Sequence, residues 1–197
     1  MSHTVITIGR EYGSGGRVIA QKLADLLSVK FYDREVIEMT AEETGFSADF
    51  IRSAEEKRAS AFVYTFNVGC INLPAHDRVF IAESDVIRRA AEKGPCVIVG
   101  RCADYVLRDN PKCLRVFVHA PLEERIRRAR EEYGVEQDDV KSFVVRYDKA
   151  RAAYYNYFTT GKWGRCQNYD LSISSSLGID TVVHTIAELE KKRRFAA

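Results

Sequence analysis

The sequence lacks most features that would indicate a membrane-spanning, secreted or metal-binding protein. No hydrophobic run approaches the roughly 20 residues that a helix needs to cross a bilayer. The first residues lack the basic-then-apolar pattern of a secretory signal. The 5 cysteines are odd in number and scattered, with no CxxC pair. We therefore expect a cytoplasmic protein without structural disulfides or a cysteine-bound metal.

The chain also lacks a large excess of charge of either sign. Its 30 basic and 28 acidic residues leave a net charge of +2. The basic cluster at 191–194 is typical of the exposed end of a helix. Because nucleic acids are bound by extended basic surfaces, we expect neither nucleic acid nor membrane as a partner, and a small molecule as the ligand.

Short apolar segments alternate with helical patterns along the chain. Two of them, at 96–99 and 114–119, are continuously apolar, which is typical of parallel strands covered on both faces. The full set of predicted strands is 4–8, 30–32, 96–99, 114–119 and 169–173. This alternation predicts an α/β fold, a doubly wound parallel sheet of five strands with helices on both faces. Ligands bind such sheets at the carboxyl ends of the strands.

The first stretch that does not fit this alternation is an insertion at residues 34–93. It carries helical patterns at 41–58 and 77–93 around an irregular middle at 67–75. Within one domain over residues 1–197, we expect this insertion to bind the substrate that accepts the transferred group.

A second such stretch, at 121–165, predicts a lid. A helix pattern at 121–133 starts at a proline and stops at Gly134. The aromatic segment 154–163 is too apolar for a free surface. It predicts core packing or a homodimer contact, with base stacking as the alternative.

The most informative segment is a glycine-rich turn between the first strand and a helical pattern. Gly9, Gly13, Gly15 and Gly16 fall within eight residues, and apolar residues recur at helical spacing from Val18 onward. A turn of this kind directs backbone N–H groups and the positive end of a helix to one point, which suits a phosphate group. The alternative interpretation is an ordinary glycine-rich turn between a strand and a helix.

Arginines occur where a phosphate site would need them. Arg10 and Arg17 lie in the glycine-rich turn, and Arg101 follows a buried strand at the ligand-binding edge. Arg125 and Arg128 share one face of the helix after the fourth strand, although arginine-rich helices are also typical of solvated surfaces. Phosphoryl transfer needs such cations, N–H donors, a positioned acceptor and usually Mg²⁺.

Six motifs in order resemble those of the bacterial cytidylate kinases, and still more those of the cytidylate-kinase-like proteins. They lie at 13–17, 31–34, 97–101, 116–125, 148–151 and 168–171. The resemblance runs from residue 4 to about residue 185. It implies a P-loop nucleoside monophosphate kinase fold, ATP and Mg²⁺ as cofactors, and transfer of the γ-phosphoryl group of ATP to CMP or dCMP.

The resemblance also implies roles for individual residues. The ATP phosphates would be held by the loop residues Gly13, Ser14, Gly15, Gly16 and Arg17, together with Arg10. The acceptor would be bound by Asp33, Arg34, Arg101, Asp148 and Arg151. The transferring phosphoryl group would be stabilised by Arg17 and by the lid arginines Arg125 and Arg128.

The sequence departs from the family pattern in four places. In the phosphate loop, the family's lysine falls on Gly16 and its magnesium-binding hydroxyl on Val18. The acids that the family places before and after its glycine-arginine pair fall on Val99 and Cys102. Arg17 and Arg10 are the candidates to replace the lost charge.

The sequence leaves two candidates for the magnesium ligand and two alternative functions. Asp33 and Asp104 are the candidate magnesium ligands, although Asp33 is equally typical of a helix cap. One alternative to a kinase of pyrimidine nucleoside monophosphates is a nucleotide-binding sensor with little turnover. The other is a kinase of the same fold that acts on a different small metabolite.

Overall fold

A five-stranded parallel sheet forms the centre of the molecule. The computed structural model describes residues 4–56 and 74–196. The strands are β1 (Val5–Arg10), β2 (Lys30–Tyr32), β3 (Cys96–Val99), β4 (Cys113–His119) and β5 (Leu171–Ser174). Their order is β2-β3-β1-β4-β5, and every pairing is parallel. The predicted sheet is therefore confirmed.

The described residues also form eight α-helices. These are α1 (Gly16–Leu27), α2 (Arg34–Thr44), α3 (Ala48–Glu56), α4 (Ala75–Lys93), α5 (Ala103–Val106), α6 (Leu122–Glu131), α7 (Val140–Phe158) and α8 (Ile179–Ala196). No helix in these described ranges is both long enough and apolar enough to span a membrane.

The two faces of the sheet are covered by different helices. Side chains of β1 alternate, so that Ile6 and Ile8 pack with Ile19 and Leu23 of α1, whereas Val5 belongs to the cluster on the opposite face. Helix α8 completes the first cluster, and α2, α4 and α5 contribute to the second. Because every strand runs in the same direction, the carboxyl ends of β1 and β3 meet at one edge.

The predicted helical pattern at 41–58 is wrong as one continuous helix. Gly45 adopts a left-handed conformation, with φ of 71°, and its N–H bonds back to the carbonyl of Ala41, which ends α2. Helix α3 then begins at Ala48. Most of the predicted irregular stretch at 67–75 lies outside the described residues.

Candidate functional site

The glycine-rich turn forms a tight loop between β1 and α1. Gly13 and Gly15 both have a φ of 77°, a left-handed conformation that favours glycine. The Ser14 side chain is fully buried. Its hydroxyl donates to the Glu11 carbonyl at 2.9 Å and accepts from the Gly16 N–H at 3.3 Å. Ser14 therefore holds the loop in shape at the start of α1.

Helix α6 packs directly against this loop. A Cβ on Gly13 would lie 2.5 Å from the carbonyl oxygen of Arg125, so only glycine allows the approach. Arg125 donates to the carbonyl of Tyr12 at 3.2 Å, and Arg128 donates to the carbonyl of Gly13 at 2.7 Å. Both side chains are more than nine-tenths buried, with exposed fractions of 9% and 8%. The two predicted lid cations thus bind the backbone of the loop.

Helix α7 also contacts this loop. The carboxylate of Asp148 accepts from the Tyr12 N–H at 2.7 Å and from Arg125 at 2.5 Å. Arg151 donates to the Arg10 carbonyl at 3.3 Å. The structure therefore brings these predicted residues together around the loop, with Asp148 bound to loop backbone and to Arg125.

Tyr12 anchors the pair formed by α6 and α7 and was not predicted from the sequence. Its ring lies 4.9 Å from the ring of Tyr147, 5.4 Å from that of Phe143 and 6.0 Å from that of Tyr133, measured between centroids. An aromatic residue inside a phosphate loop is the signal that could have indicated such an anchor. The conformation of the loop is thereby tied to the position of both helices.

Asp33 connects the loop to the neighbouring strand end. It occupies the N-cap position of α2, but its side chain makes no capping hydrogen bond. Its carboxylate instead accepts from Arg17 at 2.6 Å, and its carbonyl accepts from Arg101 at 2.8 Å. Arg34, the first residue of α2, is exposed to solvent.

A buried glutamate lies on the other side of Arg101. Glu83 of α4 is fully buried, its carboxylate is 3.5 Å from Arg101, and it accepts from the Tyr154 hydroxyl at 2.8 Å. Neither Glu83 nor Tyr154 was assigned to the site from the sequence. The sequence signal that could have indicated Glu83 is its position on the apolar helix face formed by Val79 and Val86.

The backbone around Arg101 is held in an uncommon conformation. Gly100, Arg101 and Cys102 have consecutive φ values of 74°, 50° and 53°. Left-handed conformations at residues other than glycine cost about 1 kcal/mol or more each and persist where the surroundings impose them. This strain directs Arg101 between Asp33 and Glu83 and supports a functional role for the segment.

A cavity of about 110 Å³ opens beside the loop, at the edge formed by β1 and β3. Its cationic lining consists of Arg10, Arg101 and Arg151. The remaining walls include Asp104 and four aromatic residues, which are Tyr154, Tyr155, Trp163 and Tyr169. The cavity is therefore suited to a small anion with an apolar or aromatic part.

The two candidate magnesium ligands lie in different surroundings. Asp104 is buried at the wall of the cavity and accepts from the Tyr155 hydroxyl at 2.8 Å. Burial raises the pKa of its carboxyl to about 6, although the bond from Tyr155 opposes the rise. Asp33 lies closer to the loop. No group of three or more acidic, histidine or cysteine side chains in the described parts of the chain could hold a metal ion. A single carboxylate such as Asp33 fits an ion carried mainly by nucleotide phosphates.

One departure from the family pattern has a structural explanation. Val99 is fully buried and packs in the core, where an acid would be costly. Val18 is exposed on α1, and nothing in the structure explains why a valine stands there. The acids near the site therefore come from other elements, Asp33 before α2 and Glu83 on α4.

The aromatic segment makes extensive contacts within the chain. Tyr154 and Tyr155 are buried, and Phe158 stacks on Phe80 with ring centroids 4.2 Å apart. Trp163 packs edge-on against Phe117. The homodimer through residues 154–163 remains a prediction.

Comparisons with known proteins agree with this architecture. A cytidylate kinase from Methanopyrus kandleri is 26% identical to this chain over 160 residues, which cover 77% of this chain and 74% of that protein. The solved structure of an uncharacterized protein from Eubacterium ventriosum has 29% identity and a TM-score of 0.75, and the match covers 97% of this chain and 99% of that one. A shikimate kinase structure from Bacteroides thetaiotaomicron shares the fold, with a TM-score of 0.59 at 15% identity over 96% and 99% of the two chains.

The fold is thus that of the P-loop kinases, as the resemblance of the motifs implies. The sequence also matches the profile of the cytidylate kinase-like family over residues 5–177. This chain belongs to the cytidylate kinase-like family.

Proposed function

We propose that the protein transfers the γ-phosphoryl group of Mg·ATP to a small anionic acceptor, with CMP or dCMP as the leading acceptor. The observation that carries this proposal is the convergence of Arg10, Arg101 and Arg151 on one cavity beside the phosphate loop. Phosphoryl transfer depends mainly on fixed cations and N–H donors around the phosphates. Membership of the cytidylate kinase-like family supports a nucleotide acceptor.

The donor nucleotide binds at the loop and the start of α1. The positive end of α1 favours phosphate oxygens there, while Ser14, Arg125 and Arg128 hold the loop backbone in place. Asp33 is the carboxylate that would hold Mg²⁺, and the ion would neutralise charge on the phosphates. In this proposal Arg125 and Arg128 act by positioning the loop.

The acceptor binds at Arg101. The fork of its guanidinium suits a phosphate group, which it can bind through two parallel hydrogen bonds. Asp33 and Glu83 hold the side chain in position before any ligand arrives. An oxygen of the acceptor phosphate then attacks the γ-phosphorus while the bond to the ADP oxygen breaks. A phosphate acceptor is already ionised at neutral pH and needs no general base.

The size of the cavity favours a second candidate function. At about 110 Å³ it is smaller than the ~300–1,000 Å³ of typical pockets for drug-sized ligands. A nucleotide therefore requires the cavity to open, whereas a smaller anionic metabolite fits with less rearrangement. The second candidate is a kinase that phosphorylates such a metabolite.

An assay of ADP release with Mg·ATP tests these functions. The acceptor panel contains nucleoside monophosphates and small metabolites that carry a phosphate or a carboxylate. ADP formation that depends on CMP or dCMP supports the leading function, and dependence on another metabolite supports the second. Binding of Mg·ATP in calorimetry without acceptor-dependent ADP formation contradicts both and indicates a sensor.

Variants of Arg101 connect the assay to the cavity. Arg101→Ala should lower kcat/KM for the acceptor about 100-fold or more, as expected for loss of a fixed cationic donor. Because this change leaves Glu83 buried without its arginine, the same measurement is made in the R101A/E83Q variant. The exposed Arg108 provides the control R108A, which should keep wild-type kinetics. Unchanged kinetics in both Arg101 variants would remove Arg101 from the site.

A further inference from the structure

Two glycines on different elements make room for one arginine. A Cβ on Gly16 would lie 2.6 Å from the Cβ of Arg10 and 3.1 Å from its Cγ. A Cβ on Gly100 would lie 1.9 Å from the Nη1 atom of the same arginine. The side-chain stem of Arg10 therefore passes over the first residue of α1, and its guanidinium group reaches the residue that follows β3.

The first of these glycines stands where P-loop proteins carry their lysine. That lysine belongs to the start of the helix and reaches the β- and γ-phosphates. Here α1 starts at Gly16, and the space above its Cα is filled by Arg10. In this chain the cation over the loop comes from Arg10, the last residue of β1.

We propose that Arg10 is the phosphate-binding cation that replaces the P-loop lysine, and that position 16 is glycine because Arg10 occupies its side-chain space. The inference rests on the proposed function, since it names the residue that contacts the transferring group. Arg10 also lines the acceptor cavity with Arg101 and Arg151. Its side chain extends from the donor loop to the acceptor cavity, where negative charge gathers during transfer.

Arg17, the other candidate, is directed elsewhere. Its Nε atom donates to the carboxylate of Asp33 at 2.6 Å, and its side chain is 59% exposed. The pair with Asp33 holds its charge towards the start of α2. Arg17 is one residue later in α1 than the lysine position, so its stem projects from a different face of the helix.

A reciprocal exchange of the two residues tests the assignment. Arg10→Gly should lower ADP formation about 100-fold or more, by analogy with loss of other preorganised donors. Gly16→Lys alone should also be impaired, because the stem of Arg10 blocks the new side chain. The double variant R10G/G16K places a lysine at the usual P-loop position. It should be at least about tenfold more active than R10G. A double variant no more active than the single variants overturns the assignment.

Nucleotide affinity separates this inference from the proposed function. Calorimetry should show about tenfold weaker binding of Mg·ATP to R10G, whereas adenosine, which has no phosphate group for Arg10 to contact, should bind within about twofold of wild type. Equal affinity of wild type and R10G for Mg·ATP overturns the role of Arg10 whether or not the protein turns over. A wild-type protein that binds Mg·ATP without forming ADP contradicts the proposed function and leaves the affinity comparison as the test of Arg10.

Two further variants guard against misinterpretation. Arg10→Lys keeps the positive charge and provides a milder change should R10G fold poorly, and it should retain more ATP affinity than R10G. Arg17→Ala is the matched comparison within the same loop. A larger loss of ATP affinity in R17A than in R10G would assign the role to Arg17 and overturn the inference.

Discussion

Replacing Arg125 with alanine should destabilise the fold, because this arginine joins four parts of the protein. Its guanidinium donates to the carbonyls of Tyr12 and Ala120 and to the carboxylate of Asp148, and it lies 3.3 Å from Glu11. A lid cation that moves freely over the nucleotide would instead contribute little to the stability of the ligand-free protein. The Arg125→Ala variant therefore distinguishes a fixed support of the loop from a mobile cation.

The size of the effect follows from burial of the pair. The side chains of Arg125 and Asp148 are 9% and 14% exposed, so the carboxylate left behind cannot be fully rehydrated. Removing one partner of a buried ion pair typically costs about 3–5 kcal/mol. For a protein of this size, each kcal/mol lowers the Tm by about 2–4 °C, so we expect a decrease of about 6–20 °C. The Asp148→Asn change should cost less in the R125A background than alone, because the two residues are coupled.

Urea denaturation and thermal melts of the ligand-free protein measure this loss. The matched control is Arg127→Ala, on the same helix, where the arginine is 53% exposed and pairs with the exposed Glu131. That control should change the free energy of unfolding by about 0.5 kcal/mol or less. If R125A is as stable as R127A and yet loses turnover, our reasoning is refuted and Arg125 is a mobile catalytic cation.

Two further predictions concern pH and backbone strain. The pKa of Asp104 rises from its ordinary 3.8 to about 6 on folding. The folded state therefore binds more protons than the unfolded state between about pH 4 and pH 6. The free energy of unfolding falls as pH increases through that window. In the Asp104→Asn variant, the difference in the free energy of unfolding between pH 4 and pH 8, measured by urea denaturation, should be smaller by up to about 3 kcal/mol. A pH profile equal to that of wild type would contradict this prediction. Ser28, at the end of α1, has a φ of 52°. Ser28→Gly should raise the free energy of unfolding by about 0.5–1 kcal/mol. Gly134→Ala, at a φ of 64° with no neighbouring atom near the added Cβ, should lower it by a similar amount. Thermal melts in which both variants shift the Tm in the same direction would contradict the strain argument.

The strands could be predicted well because burial of the sheet leaves a direct pattern in the sequence. The bounds of β2 and β3 agree with the predicted segments. For β3 the reason is that a parallel strand buried on both faces is continuously apolar. The position of the glycine-rich loop and of Arg101 at one edge of the sheet could also be predicted, because parallel strands place their carboxyl ends at one edge. These features depend on local sequence and on the general topology of such sheets.

Other parts of the site depend on packing between distant elements. The spacing of Arg125 and Arg128 places them on one face of α6, but it does not show whether that face meets solvent or the loop. Their burial follows from the close approach that Gly13 allows. In the same way, Glu83 breaks an apolar helix face without indicating its partners, which come from Arg101 and Tyr154 far along the chain.

The charges around the cavity explain how the site is organised before a ligand binds. Asp33 and Glu83 lie beside Arg101 and fix its side chain, so in the proposed site little reorganisation is needed when a phosphate group binds. The cavity itself is lined by three arginines and one carboxyl group, Asp104. Burial lowers the pKa of Arg151, which means that loss of water disfavours its charged form. In the proposed function an anionic ligand would compensate for that lost hydration, so that a bound phosphate group would stabilise the folded protein at this edge of the sheet.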